Sequence, residues 1–82
     1  MNEIKVLFFA HLRDRADMRE TQMELPETTL VSDLKLLLAE RFPGLREAIP
    51  TALVAVNREF AFDEDPVPDG AEVALFPPVS GG

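Results

Sequence analysis

From Ile4 to Phe9 every position except Lys5 is apolar, in the run Ile4-Lys5-Val6-Leu7-Phe8-Phe9. At a period of two, Ile4, Val6 and Phe8 share one face and Leu7 and Phe9 the other. The β-branched and aromatic content predicts a strand over Glu3–Phe9, apolar on both sides as a central strand is. Ala10 to Met18 is charged, anchored by Leu12, and reads as a loop containing a short helical turn. Glu20-Thr21-Gln22-Met23-Glu24-Leu25 alternates, with Thr21, Met23 and Leu25 on one side, until Pro26 stops it. These two strands make a hairpin-like pair.

After Pro26 the period changes. Leu30, Leu34, Leu37, Leu38 and Phe42 recur at helical spacing and draw one apolar stripe, with Arg41 along its edge. Thr29 or Ser32 stands where a cap would, Asp33 in the first turn suits the helix dipole, and Pro43-Gly44 ends the helix at Phe42. Ala52 to Val56 then predicts a short buried strand, Asn57-Arg58-Glu59 a tight turn and Phe60-Ala61-Phe62 a short edge strand. Asp63-Glu64-Asp65 reads as a solvated acidic turn, and Asp33 and Glu40 as exposed helix residues. Asp69-Gly70 is a strong turn signal before a last strand, Ala71–Phe76. Two strands, one helix and two or three more strands predict an α+β domain over 1–76. It has a mixed sheet of four to five strands and one main helix packed across one face. If the first and last strands pair at the centre, the fold is a β-grasp. Residues 77–82 then form an extended C-terminal tail.

That tail, Phe76-Pro77-Pro78-Val79-Ser80-Gly81-Gly82, carries the candidate chemistry. Its prolines bias it toward an extended conformation and end strand pairing, and two glycines make its tip thin enough for a narrow channel. Six residues beyond Phe76 span roughly 20 Å when extended. Taken alone, a terminal Gly-Gly reads as a flexible stub or a cloning scar.

Composition narrows the classes. An 82-residue chain is one domain that buries roughly 60% of its unfolded surface. Hydrophobic residues at 46% and charged residues at 28% fit a folded domain rather than a disordered one. The chain has no cysteine, which removes disulfides, iron–sulfur ligation and thiolate zinc sites. Fifteen acidic against eight basic residues leave a net charge of −7, which repels phosphate backbones and anionic membranes and suits a basic protein partner. Neither a nucleic acid nor a membrane is an expected partner. The start of the chain carries Glu3, and its apolar run is shorter than a signal-peptide core, so the cytoplasm is the expected location.

Four blocks in order, Ile4-Lys5-Val6-Leu7-Phe8-Phe9-Ala10 with Leu12-Arg13, Ala55-Val56-Asn57, Asp69-Gly70-Ala71-Glu72-Val73 and Phe76 to Gly82, give the chain its family likeness. It resembles the small sulfur-carrier subunits of molybdopterin synthase, which are ubiquitin-like β-grasp proteins. Leu30 departs from the threonine that often starts that family's helix, and Ser80 from a threonine in the tail. The resemblance implies that a ubiquitin-activating-like adenylyltransferase consumes ATP to adenylate the carboxylate of Gly82. A sulfur-donor protein then converts this glycyl adenylate to a C-terminal thiocarboxylate, a 1-thioglycine. It implies a large synthase subunit as partner, in a heterotetramer, where the sulfur passes to a cyclic pyranopterin monophosphate to build the molybdopterin dithiolene. No cofactor is expected to be bound to the chain itself. An α-carboxyl of pKa about 3.3–3.7 is an anion and a poor electrophile at neutral pH, which explains the adenylation.

On this reading Gly82 is the attachment site, and Gly81 lets the backbone pass without side-chain collision. Pro77, Pro78, Val79 and Ser80 form the inserted arm, and Phe76 is an interface residue beside it. Phe60 is either an interface anchor or part of the core, while Phe8 and Phe9 read as core. Arg13 is either a contact to a partner's acid or a solvated loop residue. His11 stands without a second ligand and reads as neither metal ligand nor base. Two alternatives keep the same terminus: a sulfur carrier for thiazole synthesis in the thiamine pathway, and a ubiquitin-like protein modifier. A third is an interaction domain with an inert tail.

Overall fold

The computed structural model describes residues 2–78. Among them five strands form one mixed sheet: β1 (Asn2–Phe8), β2 (Glu20–Leu25), β3 (Leu53–Val56), β4 (Glu59–Ala61) and β5 (Glu72–Phe76). Their order is β2-β1-β5-β3-β4. β1 and β5 run parallel at the centre, and the other neighbouring pairs are antiparallel. This is the β-grasp, with the first and last strands side by side.

One face of the sheet is covered by α2 (Val31–Arg41), whose Val31, Leu34 and Leu38 are buried. They pack with Ile4, Val6 and Phe8 of β1, Met23 and Leu25 of β2, Val54 of β3, and Val73 and Leu75 of β5 in one core. Phe42, just past the helix, meets Phe8 edge to face with ring centroids 5.5 Å apart. The helical stripe is therefore real, although Leu30 precedes the helix and Leu37 only packs against the core's edge.

Two readings need correction. The segment after β1 is a six-residue helix, α1 (His11–Ala16), rather than a loop with a helical turn. Leu12 and Ala16, four apart, are both buried beneath it, and Asp17 closes it in the left-handed conformation at φ 60. Neither Thr29 nor Ser32 caps α2. Leu30 is the N-cap residue, and its N–H donates to Asp33 Oδ2 at 3.0 Å. The N–H groups of Val31 and Ser32 donate to the carbonyls of Asp65 and Asp63, while the Thr29 hydroxyl turns back to Pro26. A distant loop thus does the work of a local cap. The Asp63-Glu64-Asp65 run is the solvent-exposed acidic turn that the sequence predicts, and it is also bonded internally. Asp65 Oδ2 accepts the Phe62 N–H at 2.7 Å, and Asp63 pairs with Lys35 at 2.9 Å.

The turns read from the sequence have specific partners. Gly70, at φ 77, donates its N–H to the Glu3 carbonyl, and Asp69 Oδ1 accepts the Glu3 N–H, both at 2.8 Å. This stitches the entry of β5 to β1. Gly44 serves a close approach instead: a Cβ there would collide with the Arg15 carbonyl of α1.

Candidate functional site: the open face of the sheet and the root of the tail

Strand alternation that buries Phe8, Leu75 and Val54 under α2 sends their neighbours to the opposite, uncovered face. The registers Leu7↔Ala74, Ala55↔Ala74 and Ala55↔Phe60 place Leu7, Ala74, Ala55 and Phe60 in one row across four strands. The two alanines make a low floor. Leu7, Phe9, Phe60 and Phe76 rise around it to enclose a shallow depression of about 290 Å³, with Arg58 and Glu72 on its rim.

The root of the tail is fixed at the edge of this depression. Phe9 continues the central ladder by donating its N–H to the Leu75 carbonyl at 3.1 Å. Its ring stacks on Phe76, with centroids 4.7 Å apart and planes 12° from parallel. Phe60 approaches Phe76 from the other side at 6.4 Å. Phe76 pairs with Leu53 as the last rung of β5, and Pro77, lacking an N–H, cannot extend the ladder. Pro77 is half-buried and Pro78 exposed. Val79, Ser80, Gly81 and Gly82 lie outside the described residues.

Several site expectations are thereby sorted. Phe60 is 71% exposed, so it is a surface aromatic and not core. Phe76 is half-buried where the strand becomes tail. Phe8 belongs to the core, but Phe9 does not: it lies half-buried on the open face. Arg13 is on α1, half-buried, with its Nε buried and lacking a hydrogen-bond partner among the described residues, so it is no solvated loop arginine. His11 is exposed at the start of α1. Leu7, Ala55 and Ala74 belong to the site without standing out as site residues in the sequence, although it carries one signal for them. A single helix covers one face of a sheet, so a second apolar set on the central strands must face something else.

Beyond this face, a larger groove of about 510 Å³ runs between Lys35 of α2 and the β4 edge, past Leu53, Phe60 and Phe62. Phe76 is not among its walls. The open-face depression is the one that meets the tail. Among the described residues no group of three or more His, Cys, Asp or Glu is placed to hold a metal ion. No helix among them is long and apolar enough to cross a membrane. What this face offers chemically is apolar binding, next to a strand end that points the chain onward.

A model of the ThiS family matches residues 6–82. The chain belongs to the ThiS family. Within that family, its similarity to the molybdopterin synthase sulfur carrier subunit of Chlamydomonas reinhardtii is 37% identity over 82 residues, covering 98% of this chain and 99% of that protein. A Pyrococcus furiosus protein assigned as molybdopterin converting factor subunit 1 superposes with a TM-score of 0.87 at 30% identity, over 96% of this chain and 100% of that one. The small archaeal modifier protein 1 of Haloferax volcanii also superposes at 0.87, with 28% identity over 99% and 100% of the two chains. A Helicobacter pylori structure, the complex of subunits 1 and 2 of molybdopterin-converting factor, shares the fold at 0.69 and 23% identity, over 98% and 99%. This ThiS-family chain is thus similar in sequence to sulfur carriers of molybdopterin synthase, the family its motif blocks resemble.

Proposed function

We propose that this chain is the sulfur carrier subunit of molybdopterin synthase. One observation carries the reading: the apolar face of Leu7, Phe9, Phe60 and Phe76 surrounds the root of the tail, from which the sequence runs on through Pro77-Pro78-Val79-Ser80 to Gly81-Gly82. A partner that grips this face also holds the start of the tail, and so decides where Gly82 goes. The partner is the large synthase subunit, in a heterotetramer; its counterpart in the Helicobacter pylori complex supports this choice.

The chemistry begins on an activating adenylyltransferase of the ubiquitin-activating kind. The Gly82 carboxylate displaces pyrophosphate from ATP and becomes an acyl adenylate, with AMP as leaving group. A sulfur-donor protein replaces AMP and leaves a thiocarboxylate, ionised and soft at neutral pH as reactive thiolates are. In the large subunit that sulfur passes to a cyclic pyranopterin monophosphate, and two such deliveries build the dithiolene. Gly81 keeps the arm thin at the channel. Because the chain has no cysteine, no thiol of its own competes for the activated terminus.

Intact-mass measurement after incubation with ATP, the activating enzyme and a sulfur source tests the reading. One terminal oxygen should be exchanged for sulfur, and the exchange should reverse on adding the large subunit with its pterin substrate. A terminus that stays a carboxylate with every activating enzyme overturns it.

A second reading, a protein modifier, is favoured by the equal structural likeness to the Haloferax volcanii modifier. It predicts a ladder of isopeptide-linked targets, which the carrier reading does not.

A further inference from the structure

The turn between β3 and β4 holds its two central residues, Asn57 and Arg58, at φ 52 and φ 71. A two-residue connection of this kind needs positive φ at both positions, which is why asparagine followed by glycine is its favoured pair. Asn57 suits its place. Its N–H donates to the Glu72 carbonyl at 2.8 Å and its Oδ1 accepts the Glu72 N–H at 3.0 Å, which ties the turn to β5. Arg58 does not suit its place: its Cβ strains a conformation that glycine adopts freely, and the Asn57 bonds keep the turn from relaxing.

Among the described residues no ion pair of the Arg58 side chain offsets that strain. Arg58 is exposed, and it belongs to neither of the ion pairs among the described residues, Lys5–Glu20 and Lys35–Asp63. It lies on the rim of the open-face depression with Phe60 and Phe76. A strained residue whose guanidinium forms no ion pair among the described residues is a reason to look outward.

We infer that Arg58 determines specificity on this face, its guanidinium pairing with an aspartate or glutamate of the synthase large subunit as that subunit docks on Phe60 and Phe76. The inference rests on the carrier reading above. Against a chain of net charge −7, a carboxylate on the partner is repelled over most of the surface and accepted at a free cation, which sets the register of docking. Glu72, on the same rim, repels the partner's acid from the β5 side. The pair therefore forms over the turn.

The test titrates the full chain and three variants against the purified large subunit across a salt series, with a thermal melt of each. Arg58→Gln keeps the backbone strain and drops the charge; it should bind about tenfold more weakly, lose much of the salt dependence and melt as the parent does. Arg58→Gly should bind as weakly as the Gln variant while melting about 4 °C higher, because the strain is gone. Arg58→Lys keeps the charge and should stay within about threefold of the parent. Binding of the Gln variant as tight as the parent, or of the Lys variant as weak as the Gln variant, overturns the assignment of Arg58 alone. A parent chain that fails to bind the large subunit overturns the carrier reading, and this inference with it.

Discussion

Two rows that cross β1, β5, β3 and β4 lie one residue apart on each of these strands and meet opposite fates. Phe8, Leu75, Val54 and Ala61 lie beneath α2, with the first three at 1%, 1% and 4% exposure. Leu7, Ala74, Ala55 and Phe60 face away, and the row ends in a phenylalanine that is 71% exposed. Both rows are apolar, so hydrophobicity does not separate them; the presence of a covering layer does. Burial stabilises by about 25 cal/mol per Å² of apolar surface removed from water; the covered row gains most from it, whereas on the open row only Ala55 is buried, Leu7 and Ala74 are half-buried and Phe60 is exposed. The covered row should therefore report on folding and the open row on binding.

The largest expected effect tests the covered side. Leu34 is 1% exposed in the middle of α2, and Leu34→Ala should cost about 2–5 kcal/mol through lost transfer energy and a cavity. Urea denaturation measures it. A loss below about 1 kcal/mol would show that α2 does not close the core.

Phe60→Ala is the matching test on the open side. Its ring reaches solvent beside Phe76, so unfolding free energy should move by no more than about 0.5 kcal/mol. Affinity for the large subunit should fall by about 2 kcal/mol, close to thirtyfold, as for a central aromatic anchor. The same urea series and a calorimetric titration separate the two readouts. A stability loss like that of Leu34→Ala would place Phe60 in the core and end the contrast between the faces.

What could be read from the sequence divides along the same lines. The alternation of β1 and β2, the α2 stripe, and the turns at Asn57 and Asp69-Gly70 were legible because each depends on residues close in sequence and on local geometry. The arrangement of the candidate site was only half legible. Phe60 and Phe76 stand out in the sequence, but Phe9 reads there as core, because two-sided apolarity does not say which side receives a cover. The cap of α2 was missed for a different reason. The carbonyls of Asp63 and Asp65 that accept its first N–H groups lie some thirty residues along the chain, so no local signal marks them. In α1, Ala16 is too small a signal among charged neighbours to stand out beside Leu12.

Phe9 offers a sharper test because it belongs partly to each regime: its ring faces the open side, yet it stacks on Phe76 at 4.7 Å. A double-mutant cycle of Phe9→Ala and Phe76→Ala should show a coupling of about 0.5–1.5 kcal/mol in unfolding free energy. Additive losses, with no coupling, would mean that the stack does not hold the root of the tail, and the open face would then lose its link to the position of Gly82.

The smallest expected effect asks whether the two faces are independent. Leu30 is the N-cap residue of α2, and its N–H already donates to Asp33 Oδ2 at 3.0 Å. Half of a capping box is in place, and the half that a leucine cannot supply is a side-chain oxygen for the N–H of Asp33. Leu30→Thr supplies it, for a gain of about 1 kcal/mol, from which the lost contacts of a half-buried leucine subtract. A net stabilisation of about 0.5 kcal/mol is expected, read as a rise of roughly 2–4 °C in Tm. Affinity for the large subunit should not change, because α2 packs on the face opposite the depression and the sheet lies between them. If affinity moves with Tm, the covered face is acting through the sheet, and the separation of folding from binding fails at its most favourable point.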